Sequence, residues 1–94
     1  MTEQNAQERI TWDKATEEKF QKILEQIPDM IRGIAEARVT RKAEDLIRQE
    51  NRWVIAEKDM VDAFFAETPG GFIPVMKNGM EEVGIDYTQY GYKK

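Results

Sequence analysis

Apolar residues recur at helical spacing in three stretches of this 94-residue chain. In the first stretch they lie three, four and seven residues apart, which places them on one face of a helix. These positions are Phe20, Ile23, Leu24 and Ile27. Asp13, just before them, is a residue type favoured at a helix N-cap. Pro28 has no backbone N–H and disfavours helical geometry in the residue before it, so we expect one helix to end there and another to begin.

The second stretch predicts a long central helix from about residue 29 to about residue 50. Its apolar positions recur every four residues, with two more that widen the stripe. They are Ile31, Ala35, Val39, Ala43 and Ile47, widened by Ile34 and Leu46. Gly33 weakens such a helix by roughly 1 kcal/mol relative to alanine, so we expect it to mark a packing contact. Asn51 is suited to the left-handed conformation that ends a helix.

The rest of the chain contains shorter apolar segments. Residues 53–55 are apolar and mostly β-branched, and are expected to form an extended connector pinned to the core. A third helix is predicted from about residue 57 to residue 66, with one apolar side formed by Met60, Val61, Phe64 and Phe65. Pro69 and the two glycines after it should stop that helix, and Pro74 can open a short fourth helix that ends at Gly84. Gly79 in its middle weakens this prediction.

These elements predict an all-α fold with a three-helix core, a long central helix, a short fourth helix and an irregular Tyr-rich tail. Residues 1–10 have almost nothing to bury and are expected to be a mobile arm. Residues 11–68 then form the helical domain, and residues 69–94 the Gly/Pro break, the short helix and the tail. The tail either packs on the domain or stays available to a partner.

Composition excludes several classes of function. The chain has no cysteine and no histidine, so it lacks thiolate metal ligands and the commonest general base, and we expect no enzyme activity and no metal site. Its 14 basic and 18 acidic residues give a net charge of -4, which opposes nucleic-acid binding. A histone-like module with a long central helix is disfavoured for the same reason. No apolar run reaches the roughly 20 residues of a membrane span, and a cytoplasmic location is expected.

Two single residues are candidates for ligand binding. Arg32 lies near the N-terminus of the second predicted helix, where the helix dipole disfavours a cation. It is therefore expected to have a carboxylate partner such as Glu25, in an ion pair that sets the angle between two helices, or an anionic ligand. Trp12 either caps the core or stacks on a flat macrocycle, and Trp53 is open to the same two interpretations.

The polar face of the long helix carries both signs of charge. Four basic residues alternate with four acidic ones, a pattern typical of a solvated face rather than of a phosphate-binding strip. The residues are Arg38, Arg41, Lys42 and Arg48 with Glu36, Glu44, Asp45 and Glu50. Adjacent carboxylates at positions 44 and 45 diverge by roughly 100° around a helix and cannot easily share one metal ion.

The stretch 69–80 and the tail supply the other candidate binding residues. The stretch is rich in large apolar side chains, which either form an adaptable surface for a partner helix or porphyrin or fold back on the helices. With the two residues above, the candidate ligand- or partner-binding set is Trp12, Arg32, Phe72, Met76, Tyr87 and Tyr90.

One arrangement of residues resembles a known family. It consists of Trp12 and Ala15, the pair Ile27–Pro28 followed by Arg32 and Gly33, then Ala35 and Glu44, and a second short helix entered through an apolar connector. Over residues 12–63 this resembles the small C-terminal helical domain of the B subunit of light-independent protochlorophyllide reductase. Stand-alone copies of that domain also occur.

The resemblance implies a role without chemistry of its own. The parent enzyme reduces a tetrapyrrole with an iron–sulfur cluster whose ligands lie in another domain, and the small domain packs near the substrate and closes over it. By this resemblance the chain is expected to be an accessory or assembly module with a protein partner in a redox or photosynthetic complex, with tetrapyrrole contact as an option. The alternative is a structural subunit that binds no small molecule.

Overall fold

The computed structural model describes residues 9–94. Residues 1–8 of the expected mobile arm lie outside this range, while Ile10 at its end packs against the core. The helices are α1 (Lys14–Leu24), α2 (Asp29–Gln49), α3 (Glu57–Glu67) and α4 (Ile73–Glu82). The short elements are the strands β1 (Thr11–Trp12) and β2 (Val54–Ile55) and two 3-10 turns, Gly70–Phe72 and Tyr87–Tyr90. The predicted all-α fold is confirmed, and α2, α3 and α4 begin and end within about one residue of their predicted limits. Helix α1 ends at Leu24, three residues before Ile27, where it was expected to end.

The helix ends follow the local signals in the sequence. Asp13 caps α1, since its carboxylate accepts hydrogen bonds from the Thr16 backbone N–H at 3.0 Å and from the Thr16 hydroxyl at 2.9 Å. Pro28 is the N-cap of α2. Asn51, with a φ of +58°, lies in the left-handed region just after α2, as does Gly84 after α4, with a φ of +80°. These residues turn the chain where the next helix must fold back.

A two-stranded parallel sheet, which the apolar pattern does not predict, holds the start of α1 beside the connector. Thr11 pairs with Val54 and Trp12 with Ile55. The Thr11 N–H donates to the Trp53 carbonyl and the Asp13 N–H to the Ile55 carbonyl, both at 3.0 Å. The pairing joins segments more than forty residues apart in the chain, so local spacing carries no signal for it.

The core is formed by the predicted apolar faces of α1, α2 and α3 together with α4 and the tail. Phe64 is completely buried near its centre and meets Phe20 edge-to-face, with 5.6 Å between the ring centroids. The other fully buried large side chains come from all four helices, β2 and the tail: Ile23, Leu24, Val39, Ile47, Ile55, Met60, Val61, Met76, Met80 and Tyr87. Helix α4 and the tail therefore belong to the same core as the first three helices.

Three packing expectations are wrong. A side chain at Gly33 would meet nothing within 4 Å, so that glycine marks no contact within the described chain. Trp53 is 42 % exposed, because only Ile55 of the connector points into the core. Ile34 is 58 % exposed, so it does not widen the buried stripe of α2. The close approach occurs instead at Gly79 in α4, where a Cβ would lie 3.4 Å from a side-chain carbon of Ile23 in α1 and 3.3 Å from one of Gln26, just after α1.

Candidate functional site

The best candidate site is an apolar cleft of about 250 Å³ between the N-terminal half of α2 and the connection from α3 to α4. Its apolar lining comes from Ile27, Ile31, Ile34, Ala35, Val39, Pro69, Phe72 and Met76. Thr68 and two charged residues, Arg38 and Glu67, complete it. Neither Arg38 nor Glu67 forms an ion pair with another residue in the range 9–94. The cleft can therefore bind an apolar group and orient it with one charge of each sign.

Large apolar side chains stand out of the surface on both sides of this cleft. On α2, Met30 is 92 % exposed and precedes Ile34 by one helical turn. On the opposite side, Phe72 is 38 % exposed and Val75 is 36 % exposed. We call these four residues the apolar rim. Of these four residues, Ile34 and Phe72 line the cleft itself. Exposed large apolar side chains beside a cleft make it a candidate interaction site.

Arg32 lies at the hinge between α1 and α2, where it satisfies the end of α1. Its Nε donates to the Leu24 carbonyl at 2.8 Å, and its Nη2 donates to the carbonyls of Ile27 at 2.9 Å and Glu25 at 3.2 Å. Nη1 forms an ion pair with Asp29 at 2.8 Å. The carbonyls at the end of a helix have no partner within the helix, and Arg32 supplies several of them with donors.

The expected carboxylate partner of Arg32 is therefore wrong in its detail. The guanidinium contacts the backbone of Glu25, and the carboxylate it meets is that of Asp29. The fixed fork of an arginine can donate in several directions at once, which a lysine cannot do. With its donors occupied in this way, Arg32 sets the angle between α1 and α2 and so positions one wall of the cleft.

Phe72 and Met76 are the two candidate residues that the fold brings together in the cleft. Met76 is buried at its floor, and its Sδ accepts a hydrogen bond from the Thr68 hydroxyl at 3.3 Å. Phe72 lies four residues earlier, at the surface. The Gly/Pro break at 68–71 places these two residues opposite α2.

Trp12 packs on the core and does not line the cleft. Its ring stacks on Phe20 with 4.6 Å between centroids and 14° between planes, so one face is covered. Backbone pairing of Trp12 with Ile55 holds the indole there. This position agrees with the interpretation of Trp12 as a cap of the core.

Tyr87 and Tyr90 hold the tail against the body, and neither lines the cleft. The Tyr87 hydroxyl donates to Glu81 at 2.7 Å, and the Tyr90 hydroxyl donates to Glu57 at 2.8 Å. Tyr92 repeats the arrangement, with its ring stacked on Phe65 at 3.9 Å and its hydroxyl donating to Asp62 at 2.5 Å. The expectation that the tail itself offers a binding surface loses its support, since its aromatic rings are already packed.

All three phenols are less acidic than a free tyrosine. Removal from water raises the pKa of Tyr87, of Tyr90 and of Tyr92 to about 12, and the hydrogen bond to a carboxylate acts in the same direction. A tyrosine in an unfolded chain ionises near pH 10. The stabilisation by the tail is therefore complete below about pH 10 and is lost as the pH rises towards 12.

This arrangement predicts an unusual alkaline titration. The chain has only three tyrosines, so absorbance at about 295 nm follows these groups alone. In the folded protein the tyrosinate signal should remain small at about pH 10.5, whereas the chain unfolded in guanidinium should titrate near pH 10. A folded chain that titrates like the unfolded one would contradict the described docking of the tail.

The charged face of α2 behaves as a solvated surface. A shallow depression of about 680 Å³ lies there, wider than the cleft but lined mainly by charged and small residues. Arg48 pairs with Glu44 at 3.4 Å and with Asp45 at 3.1 Å, both on the same helix. Because charges of both signs alternate and pair locally, this face offers no uniform field for a phosphate chain.

An ion pair that the apolar pattern does not predict joins the partly exposed Arg52 to the buried Asp59. Asp59 is 5 % exposed and accepts from both terminal nitrogens of Arg52, at 2.6 Å and 3.0 Å, and from the Ala56 N–H at 2.9 Å. The hydrogen bonds that Arg52 donates to Asp59, and next the one that it donates to Glu50, raise the pKa of the Arg52 guanidinium above its usual range. Asp59, three residues after the N-cap of α3, was a usable signal. The pair fixes how α3 leaves the connector.

Outside the cleft, the buried polar side chains of the described chain are paired. Among residues 9–94, no three acidic side chains lie close enough together to hold a metal ion. In the same range, no buried side-chain nitrogen or oxygen is left without a hydrogen-bond partner. None of the four described helices combines the length and the apolar character that crossing a membrane requires.

Comparison with known proteins adds no identification. No protein-family model, no curated protein and no solved structure matches this chain.

Proposed function

We propose that this protein is a non-catalytic accessory module that binds a protein partner through the cleft between α2 and α4. The observation that carries the proposal is the exposed apolar rim around a cleft whose charged groups, Arg38 and Glu67, have no partner in residues 9–94. An apolar centre with a polar rim is the usual anatomy of a protein-binding surface.

The size of the cleft favours protein side chains over a macrocycle. Pockets for small molecules generally enclose about 300–1,000 Å³ and bury most of the ligand. This cleft encloses about 250 Å³ and is open to solvent, so a flat tetrapyrrole would remain largely exposed in it. An apolar side chain from a partner would fill it.

The resemblance of residues 12–63 to the small domain of protochlorophyllide reductase extends this proposal. By that resemblance the module serves a tetrapyrrole-reducing or photosynthetic redox assembly, and the reaction itself belongs to another subunit. The alternative, a structural subunit of such an assembly that binds no small molecule, uses the same surface. Titration with protochlorophyllide separates the two, because contact with the pigment would shift its Soret band.

Photo-crosslinking in the source cells tests the role of the cleft. A benzoylphenylalanine in place of Phe72 should form covalent adducts with a partner protein, because position 72 lies at the cleft mouth. The matched control carries the same group in place of Trp53, an exposed aromatic residue on the connector that does not line the cleft. Adducts from position 72 alone are expected. No adduct at either position, or equal adducts at both, would contradict the proposal.

A further inference from the structure

We propose that the partner that covers the cleft is a second copy of this chain, related by a twofold axis that passes through the apolar rim. This inference rests on the proposed function of the cleft as a protein-binding surface and names its occupant. A twofold contact uses the same patch on both protomers, so the patch must be complementary to itself. The shape, the charge and the size of this patch each meet that condition.

The shape of the patch combines a projection with a depression. Met30, the most exposed of the large apolar side chains described, stands one turn before Ile34 on α2. The cleft beside them is lined by Phe72 and floored by Met76. In a twofold arrangement Met30 and Ile34 of each protomer enter the cleft of the other. Methionine suits this contact, since its flexible thioether adapts to irregular gaps.

The patch also carries one charge of each sign, so the positive charge of one copy can pair with the negative charge of the other. Arg38 and Glu67 line the same cleft, and neither has an ionic partner within residues 9–94. The twofold axis brings Arg38 of each protomer towards Glu67 of the other, which gives two equivalent ion pairs across the contact. Each chain carries a net charge of -4, but the charges of Arg38 and Glu67 cancel within the patch. Salt at physiological strength screens the repulsion between the net charges of the two chains beyond about 8 Å.

The area fits a dimer of moderate affinity. From typical side-chain areas, the four rim residues expose on the order of 400 Å² of apolar surface, the size at which a patch usually marks an interaction site. A standard interface buries roughly 800 Å² per protomer, so the polar surroundings of the rim would supply about half of it. A dissociation constant on the order of 1–10 µM is expected, since part of the gain offsets the entropy of association.

Sedimentation of the purified full chain tests the dimer. Wild type should be dimeric at about 100 µM, well above the expected dissociation constant. Ile34→Glu should weaken association at least about tenfold, because it places a charge in the interface. Val54→Glu, at a position 48 % exposed on β2, is the matched control and should dimerise like wild type. Circular dichroism confirms that each variant is folded.

Charge exchange then tests the twofold geometry. Arg38→Glu and Glu67→Arg should each weaken the dimer, and the double variant should restore it, because the pairs re-form with reversed signs. A wild type that stays monomeric at about 100 µM, an Ile34→Glu variant that dimerises normally, or a double variant without recovery would overturn the inference. A monomeric chain whose position 72 crosslinks to a different protein would overturn the dimer and leave the proposed function intact.

Discussion

Replacement of Phe64 by alanine should lower the free energy of unfolding by about 3–5 kcal/mol. Phe64 is completely buried and packs against Phe20, which in turn lies under Trp12. The substitution removes this contact and leaves a cavity that the surrounding helices can only partly fill. Since a domain of this size is stabilised by roughly 5–10 kcal/mol in total, the loss should bring the variant close to unfolding.

Thermal and urea unfolding measure this effect. The melting temperature should fall by roughly 4–8 °C for each kcal/mol lost. Met30→Ala is the control, because it also shortens a large apolar side chain but one that is 92 % exposed. At about 1 µM, where association contributes little, this control should remain within about 0.5 kcal/mol of wild type. Equal effects at the two positions would show that Phe64 is not at the centre of the core.

Replacement of Arg52 by methionine should lower the free energy of unfolding clearly, because it leaves the buried carboxylate of Asp59 without its ionic partner. Asp59→Asn alone should cost less, since the side chain of Arg52 is 39 % exposed and can turn to water. The double variant should be less destabilised than the sum of the two changes. A coupling energy larger than that of an exposed ion pair is expected, because the two residues are in direct contact and Asp59 is buried.

A second double-mutant cycle provides the matched comparison. Arg48 and Asp45 form an ion pair at 3.1 Å on the surface of α2, with both side chains well exposed. The same substitutions, Arg48→Met and Asp45→Asn, should give a coupling below about 0.5 kcal/mol, because solvent screens exposed pairs. Similar coupling energies in the two cycles would mean that the burial of Asp59 adds nothing.

These two predictions also bear on the cleft. Phe64 and Asp59 both lie on α3, and the end of α3 at Glu67 and Thr68 forms part of the cleft wall. Arg32 fixes the other wall through the carbonyls at the end of α1. A change that tilts either helix should therefore alter binding at the cleft without touching its lining. We expect binding and stability to decline together in such variants, and binding alone to decline in Ile34→Glu.

The sequence identified part of the candidate site. The break at 68–71 followed by large apolar residues pointed to Phe72 and Met76, which the fold does bring to the cleft. The sequence did not reveal the exposed positions of Met30 and Ile34, because periodicity tells which residues share a helix face but not where the neighbouring helix ends. It also offered Tyr87 and Tyr90 as candidate binding residues, whereas the hydroxyls of both donate to carboxylates of the body, Glu81 and Glu57.

By itself, the sequence determined the helices, most of their limits and the class of fold. These features depend on interactions within a few residues, such as the Asp13 cap, the break at Pro28 and the left-handed turn at Asn51. The tertiary structure alone decided the parallel pairing of β1 with β2, the Arg52–Asp59 pair, the carbonyls bound by Arg32 and the shape of the cleft. Each of these depends on how whole elements meet in space, which is set by packing of the complete core and not by local spacing.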